Sequence, residues 1–258
     1  VERSRGLGDV YKRQVWDDAI ESEGANMNVR IWGNYIHHTF QHIATASTSK
    51  GPLYIFRNIF GLSRRTHNNP LGGSMIKVGE RGPYGGGRRY VFHNTALQPR
   101  GAFRVFSSHV CPNTITRNNI FDCPGPLAGT RKPSTPSDFD YDLFTGIDMG
   151  QGYEKHGIRG KPSFVHSYNL EFYPAPTTTK IKWGKIPVEH HGKKYVVTDK
   201  LVTVSNPVID AGVLIPGFND DYKGKAPDLG AFERGNPPLK FGRHAYQEPI
   251  IYAPWELR

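Results

Sequence analysis

Four stretches of the chain share one pattern of apolar and polar positions. Each has a run of β-branched or aromatic residues, then an asparagine, and then further apolar residues. The asparagines aligned in these stretches are Asn34, Asn58, Asn94 and Asn118. Because β-branched and aromatic residues favour strands and asparagine favours tight bends, the pattern predicts a strand, a bend and a second strand in each copy.

The spacing of the copies indicates a structural repeat. The intervals between the aligned asparagines are 24, 36 and 24 residues. A unit of this length accommodates three strands of roughly five residues and three turns. We expect the copies to stack as coils, with an insertion in the longer interval. An antiparallel sandwich whose turns contain asparagine by chance is the alternative.

The stacked asparagines resemble the asparagine ladder of right-handed parallel β-helix proteins, which include pectate lyases and polygalacturonases. The resemblance covers residues 16–122. It implies an all-β fold, a single-stranded solenoid of about 24 residues per coil. In such a ladder, each asparagine would adopt the left-handed bend and hydrogen-bond its neighbour one strand spacing away.

A second resemblance lies near the end of the chain. The stretches SNPVIDAG at 205–212 and APDLGAFE at 226–233 are similar to the closing segment of many secreted bacterial β-helix proteins, although Asn206 interrupts the usual Ser-Pro pair. We expect three acidic residues here to serve as turn and capping residues of the last coils, since Asp beside Gly is common in turns. They are Asp210, Asp228 and Glu233.

The start of the chain is expected to differ in origin from the rest. Residues 9–14, DVYKRQ, are the residues that the codons GAT GTG TAT AAG AGA CAG encode. This nucleotide string resembles a transposon-end adapter used in shotgun sequencing. We therefore expect residues 1–14 to be a read-through artefact and the remainder to be the C-terminal part of a longer protein. Residues 15–235 would form the β-helix domain, with irregular coils at 123–204, and residues 236–258 a tail that packs on the solenoid.

Composition and net charge limit the classes of function that this chain can have. The chain has 29 Gly and 20 Pro in 258 residues, contains no apolar run long enough for a membrane span, and carries a formal charge of +10. This charge favours an anionic partner, but no nucleic-acid-binding module is recognisable.

Basic residues at and after the insertion suggest lyase chemistry. A lyase must neutralise the uronate carboxylate, remove a proton and protonate the leaving oxygen. Lys77, Arg81 and His93 are the candidate catalytic residues, and lyases of the resembled families use Lys or Arg with Ca²⁺. The candidate substrate-binding residues are Arg57, Arg88, Arg89 and Arg117. Ordinary exposed basic side chains are the alternative.

An acidic cluster suggests a different reaction. Asp17 and Asp18 lie in a stretch that resembles the paired-aspartate motif of polygalacturonase-type hydrolases, in which the aspartates act as acid and base. Glu21 and Glu23, at alternate positions of a strand, could instead hold Ca²⁺. Solvated turn carboxylates are the third interpretation.

Two further sets of residues complete the candidates. His37, His38 and His42 lack a recognisable zinc-ligand spacing, and we expect surface or groove histidines. Cys111 and Cys123 lie 12 residues apart, and the sequence does not decide whether they form a disulfide.

Together these features predict a secreted, periplasmic or cell-surface carbohydrate-active protein. It would be a monomeric lyase or glycoside hydrolase acting on an acidic polysaccharide. A noncatalytic glycan-binding or structural β-helix protein is the alternative, because fold alone does not determine function.

Overall fold

A computed structural model describes residues 7–8, 11–13, 17–64, 72–80, 85–98, 101–105, 111–123, 136–146, 152–162, 180–181, 186–190, 193–197, 202–203, 207–237 and 239. These residues form strands and no helix. The strands are β1 (Leu7–Gly8), β2 (Tyr11–Arg13), β3 (Ile20–Glu21), β4 (Val29–Trp32), β5 (Tyr35–His37), β6 (Ile43–Ala44), β7 (Leu53–Phe56), β8 (Ile59–Phe60), β9 (Ile76–Val78), β10 (Arg89–Phe92), β11 (Thr95–Leu97), β12 (Phe103–Val105), β13 (Thr114–Arg117), β14 (Ile120–Asp122), β15 (Asp138–Phe139), β16 (Leu143–Phe144), β17 (Ile158–Arg159), β18 (Lys180–Ile181), β19 (Ile186–His190), β20 (Lys193–Val197) and β21 (Val202–Thr203).

Three parallel sheets contain the first seventeen strands. Sheet A has the order β1-β4-β7-β10-β13-β15, sheet B β2-β5-β8-β11-β14-β16-β17, and sheet C β3-β6-β9-β12. Through the middle of the chain, one strand is added to each sheet in turn before the next repeat begins. This connectivity confirms the all-β class and the parallel pairing, and it is consistent with a parallel β-solenoid.

The irregular region contains strands of another kind. β18 pairs with β21 and β19 pairs with β20, and both pairs are antiparallel. They lie within the stretch 123–204 that the sequence predicts to be irregular.

The interior explains the alternation seen in the sequence. In β7, for example, Leu53 and Ile55 are fully buried, whereas Tyr54 and Phe56 are partly exposed. Side chains at alternate positions of a strand lie on opposite faces, so each repeat sends one set of apolar residues inward. The inward residues that stack in the core include Ile31, Ile55, Val91, Ile36, Phe60, Ala96, Phe121, Ile43, Ile76 and Phe103.

A buried ladder of amides joins the repeats at the bend between sheets A and B. Asn34 Nδ2 donates to Asn58 Oδ1 at 2.9 Å, and Asn58 Nδ2 donates to Asn94 Oδ1 at 3.0 Å. Asn94 Nδ2 then donates to Asn119 Oδ1 at 2.9 Å, and Asn119 Nδ2 to Asp142 Oδ1 at 2.7 Å. The ladder is therefore confirmed at its first three predicted members.

The fourth predicted member, Asn118, is wrong by one residue. The third interval is 25 residues, so Asn119 continues the ladder. The residue before each ladder position adopts the left-handed conformation, and these residues are Gly33, Arg57, His93, Asn118 and Tyr141. The expected left-handed bend thus belongs to the preceding residue. Arg57 and His93 thus occupy equivalent positions of successive repeats, whereas Arg117 pairs with Phe92 within sheet A.

Residues 207–237, here called the strap, run back along the A–B bend. Gly230 N donates to Asn118 O at 2.7 Å, and Ala231 N donates to Thr95 Oγ1 at 3.0 Å. The strap therefore contacts repeats in the middle of the stack. The expectation that this segment forms part of the last coils is wrong, because its amides bond to the side of earlier repeats.

The acidic residues of the strap are capping residues, as the sequence predicts. Asp210 Oδ1 accepts from the backbone amide of Lys225 at 2.8 Å. Asp228 accepts from the amides of Asp210 and Arg234, at 2.8 and 2.7 Å. Glu233 accepts from the amides of Asp228 and Lys223, both at 2.9 Å.

Both ends of the chain carry predictions that remain open. β1 and β2, within the stretch expected to derive from an adapter, pair in register with β4 and β5. The origin of this stretch stays a prediction. Most of the predicted tail, 240–258, lies outside the described residues.

The two cysteines, Cys111 and Cys123, are both buried free thiols and form no disulfide.

Candidate functional site

The outward face of sheet C brings together Lys77 and the acidic cluster. In β9, Ile76 and Val78 are buried and Lys77 lies on the opposite face. Lys77 Nζ lies 2.5 Å from Asp18 Oδ2 and 3.4 Å from Glu23 Oε1. Lys77 is a candidate for the lyase reaction and Asp18 a candidate for the hydrolase reaction. Although they lie 59 positions apart in the chain, the two form an ion pair.

The carboxylates of this site are held in place. The Asp18 side chain is only 3% exposed, and its second oxygen, Oδ1, is buried without a hydrogen-bond partner among the described residues. Glu23 Oε1 accepts from the backbone amide of Ala46 at 3.2 Å. Asp17, by contrast, is exposed. The geometry thus fixes Asp18 and Glu23 around Lys77 and leaves Asp17 at the surface.

The register of sheet C extends the site in both directions. Glu21 pairs with Ala44, Ala44 with Lys77, and Lys77 with Arg104. These four residues form one outward column across neighbouring strands. Sequence reasoning missed Arg104, although the stretch Phe-Arg-Val at 103–105 repeats the apolar-basic-apolar pattern of Ile-Lys-Val at 76–78.

The pKa values of Glu21 and Lys77 are both raised above their ordinary values. Burial raises the pKa of Glu21, and the carboxylates of Asp18, Glu23 and Asp17 raise it further against the opposing effect of Lys77. Burial acts to lower the pKa of Lys77, but the hydrogen bond and charge of Asp18 outweigh it, so this pKa is raised. Lys77 therefore stays a cation and a proton donor, which does not suit a general base.

His93 lies elsewhere, fully enclosed beneath the strap. Its Nδ1 is 3.2 Å from Gly230 O, and its Nε2 is 2.8 Å from Asn219 Nδ2 and 3.0 Å from Asn118 Nδ2. Burial, together with the charge of Arg57, lowers the pKa of His93 to about 3. The structure thus separates His93 from the Lys77 cluster and gives it the contacts of a neutral core residue.

Three of the predicted substrate-binding arginines have partners away from Lys77. Arg57 pairs with Asp221 at 2.6 Å, and Arg117 pairs with Asp138. Arg88 lies 5.9 Å from the ring centroid of Tyr90. None of the three is part of the Lys77 cluster, and Arg81 lies outside the described residues.

Arg89 is fully buried and paired with buried Glu80. The glycine-rich loop before it is built around this pair. A Cβ at Gly85 would lie 1.8 Å from Glu80 Oε2, and Gly86 N donates to that oxygen at 3.3 Å. We therefore assign the loop to the fold and do not include Arg89 in the candidate site, because a solvent-inaccessible guanidinium does not meet a ligand.

The acidic cluster lacks the donor set of a metal site. No group of three or more His, Cys, Asp or Glu residues arranged for a metal ion occurs in the part of the chain that the structure describes. Ca²⁺ takes six to eight oxygens, more than Glu21 and Glu23 supply. Calcium at these residues stays a prediction.

The three histidines are not a uniform surface group. His37 and His42 are buried and His38 is exposed. Thr39 Oγ1 lies 2.7 Å from His42 Nδ1, and Gly61 O lies 2.7 Å from His42 Nε2. The expectation of surface or groove histidines is therefore wrong for His37 and His42, which lie inside the fold.

Fold and site together define an all-β protein with three parallel sheets and a charged cluster on the outward face of sheet C. Within its described residues, no helix is long and apolar enough to cross a membrane. No protein-family model, curated protein or solved structure matches this chain significantly.

Proposed function

We propose that this chain is a right-handed parallel β-helix protein of the pectate-lyase-like and polygalacturonase-like superfamily. It acts outside the cytoplasm as a monomer and cleaves an acidic polysaccharide on the outward face of sheet C. The connectivity of the three sheets and the amide ladder support the fold. The observation that carries the function is the Lys77 ammonium shared by Asp18 and Glu23, in one column with Glu21 and Arg104.

Each group in the column has a role in this proposal. Lys77 and Arg104 neutralise the carboxylate of the sugar, which otherwise disfavours attack or proton removal. Glu21, whose pKa is raised, is the acid that protonates the leaving glycosidic oxygen in this proposal. A carboxylate of the cluster serves as the base, since Lys77 stays protonated. The same groups serve hydrolysis, with a carboxylate that activates water, or elimination, with a carboxylate that removes a proton.

Activity on a panel of polysaccharides tests the proposal. Absorbance of unsaturated uronates together with new reducing ends identifies a lyase, and reducing ends alone identify a hydrolase. Lys77→Met removes the charge but keeps most of the side-chain volume, and we expect it to lower kcat/KM by at least about 100-fold. Exposed Lys155 provides the matched control, Lys155→Met, which should retain full activity.

Two results would contradict the proposal. Full activity in Lys77→Met would exclude the outward face of sheet C as the site. No product from any polysaccharide, with glycan binding retained, would favour the alternative of a noncatalytic binding protein.

A further inference from the structure

The turn at residues 152–158 closes the last described repeat. Glu154 N donates to Phe139 O at 2.7 Å, and Ile158 N donates to Asp142 O at 2.8 Å. Glu154 adopts φ of 49°, a left-handed conformation that is costly for a residue with a side chain. A Cβ at Gly157 would lie 2.5 Å from Glu154 Oε2. The turn is therefore wrapped tightly around the Glu154 side chain.

Two carboxyl groups meet inside this turn. Glu154 Oε2 accepts from the amide of Asp142 at 3.2 Å. The Asp142 carboxylate is fully buried, and it accepts from Asn119 N and Nδ2, both at 2.7 Å, and from the Thr116 hydroxyl. Neighbouring buried carboxyl groups do not both ionise readily, so the pair retains one proton. The donors around Asp142 favour its charged form, which places the proton on Glu154.

The remaining contacts of Glu154 also favour a retained proton. Its Oε1 is buried and has no hydrogen-bond partner among the described residues. Burial raises the pKa of Glu154, and the charges of Asp142 and Asp140 raise it further. Burial also raises the pKa of Asp142, against its hydrogen bonds.

The charged groups near the turn include a second pair. Asp140 Oδ2 lies 2.8 Å from His156 Nδ1, and Asp140 Oδ1 accepts from the amides of His156 and Tyr141. Burial acts to raise the pKa of Asp140, but the hydrogen bonds from His156 and Tyr141 outweigh it, so this pKa is lowered. Asp140 is thus a carboxylate. Loss of the proton from Glu154 would place three carboxylates around one turn.

We propose that residues 152–158 form a pH-sensitive closure of the parallel sheets, which is shut while Asp142 and Glu154 share one proton and opens when that proton is lost. Opening breaks the hydrogen bonds from Ile158 N to Asp142 O and from Gly160 N to Phe144 O. These are contacts between β16 and β17, so opening exposes an edge of sheet B. This device is independent of the chemistry proposed for sheet C.

The direction of the effect follows from proton linkage. The closed turn binds one more proton than the open turn, in which Glu154 titrates at its ordinary value. The opening equilibrium constant therefore increases as the pH rises above about 4.5, by up to about tenfold per pH unit. The closure is firmest in acid and weakest in alkali.

Amide hydrogen exchange of the full chain, followed by mass spectrometry between pH 5 and 8 with exchange times corrected for intrinsic rates, tests the closure. Protection of peptides covering 139–160 should decrease by up to about tenfold per pH unit. Peptides covering 89–97, in the middle of the stack, should not follow this dependence and report that the fold is intact.

Two variants separate the shared proton from general fragility. Glu154→Gln supplies a permanent amide donor, and Asp142→Asn installs the amide found at the other ladder positions. Glu154→Gln should abolish the pH dependence at 139–160, and Asp142→Asn, which removes the neighbouring charge but leaves Glu154 buried, should weaken it. Protection in the natural chain that does not change with pH, or the same dependence in either variant, would overturn the closure. If one variant does not fold, the other decides the result.

Discussion

The A–B bend and the outward face of sheet C use polar side chains in opposite ways. At the bend, Asn34, Asn58 and Asn94 are fully buried and neutral, and every amide passes a hydrogen bond to the next repeat. On sheet C, Lys77 is 20% exposed and shares its charge with carboxylates that differ widely in exposure. The bend therefore stabilises the stack, whereas sheet C leaves charged groups partly exposed to solvent.

This difference shows that a repeated polar residue and an isolated polar residue carry different information. A side chain that recurs at the same bend is explained by its copy in the next repeat. Lys77 pairs with Ala44 on one side and with Arg104 on the other, so it belongs to no ladder of identical residues. Non-repeated charges on a repetitive fold are thus the better guide to chemistry.

The largest expected effect is the loss of a ladder amide. Asn94→Ala removes the acceptor for Asn58 N and Nδ2 and the donor to Ile55 O and Asn119 Oδ1. Buried groups left without partners should lower the free energy of unfolding by about 3–5 kcal/mol. Urea unfolding measures this loss. Asn236→Ala, which removes two exposed hydrogen bonds, should cost less than about 1 kcal/mol, and equal losses in both variants would contradict the distinction.

The second largest effect is a loss of stability in acid that arises from buried His93. Its Nε2 accepts hydrogen bonds from two amide groups and therefore cannot take up a second proton without losing them. Its pKa is lowered to about 3 in the folded chain, so its contribution is complete above the unfolded value and is lost as the pH falls. Between pH 6.5 and 5, this loss should reach about 2 kcal/mol.

Urea unfolding at both pH values measures this loss, and His93→Gln should reduce it. Buried His42, whose pKa is lowered to about 4, adds a second contribution that His42→Gln removes separately. An unchanged difference between the two pH values in His93→Gln would contradict the assignment. The A–B bend and the closing turn therefore have opposite pH dependences. Acid destabilises the bend and stabilises the closed turn.

The smallest effect is expected at the site itself. Because the Asp18 side chain is only 3% exposed, Lys77→Met is combined here with Asp18→Asn, which removes the ion pair without leaving a buried charge unpaired. We expect a change in the free energy of unfolding within about 1 kcal/mol, although activity should fall steeply. A loss as large as that of Asn94→Ala would show that Lys77 serves the fold, and the comparison between bend and sheet face would fail.

Much of the fold could be predicted from the sequence. The recurrence of apolar runs around Asn34, Asn58 and Asn94 sufficed, because a ladder needs the same residue at the same bend in every repeat. The fourth member was misplaced since Asn118 and Asn119 are adjacent, and only the 25-residue register shows which amide faces Asn94. The place of the strap also escaped, because its turn motif specifies local caps and not the surface on which it packs.

The candidate site, too, could be predicted only in part from the sequence. The sequence by itself determined the apolar alternation, the repeat length and the presence of basic and acidic clusters, since these depend on neighbours in the chain. Only the tertiary structure decided that Lys77 meets Asp18 and Glu23, that Arg104 joins their column, and that His93 and Arg89 are buried. Charge pairing depends on which strands become neighbours, and side chains 59 residues apart become partners only after the sheets have formed.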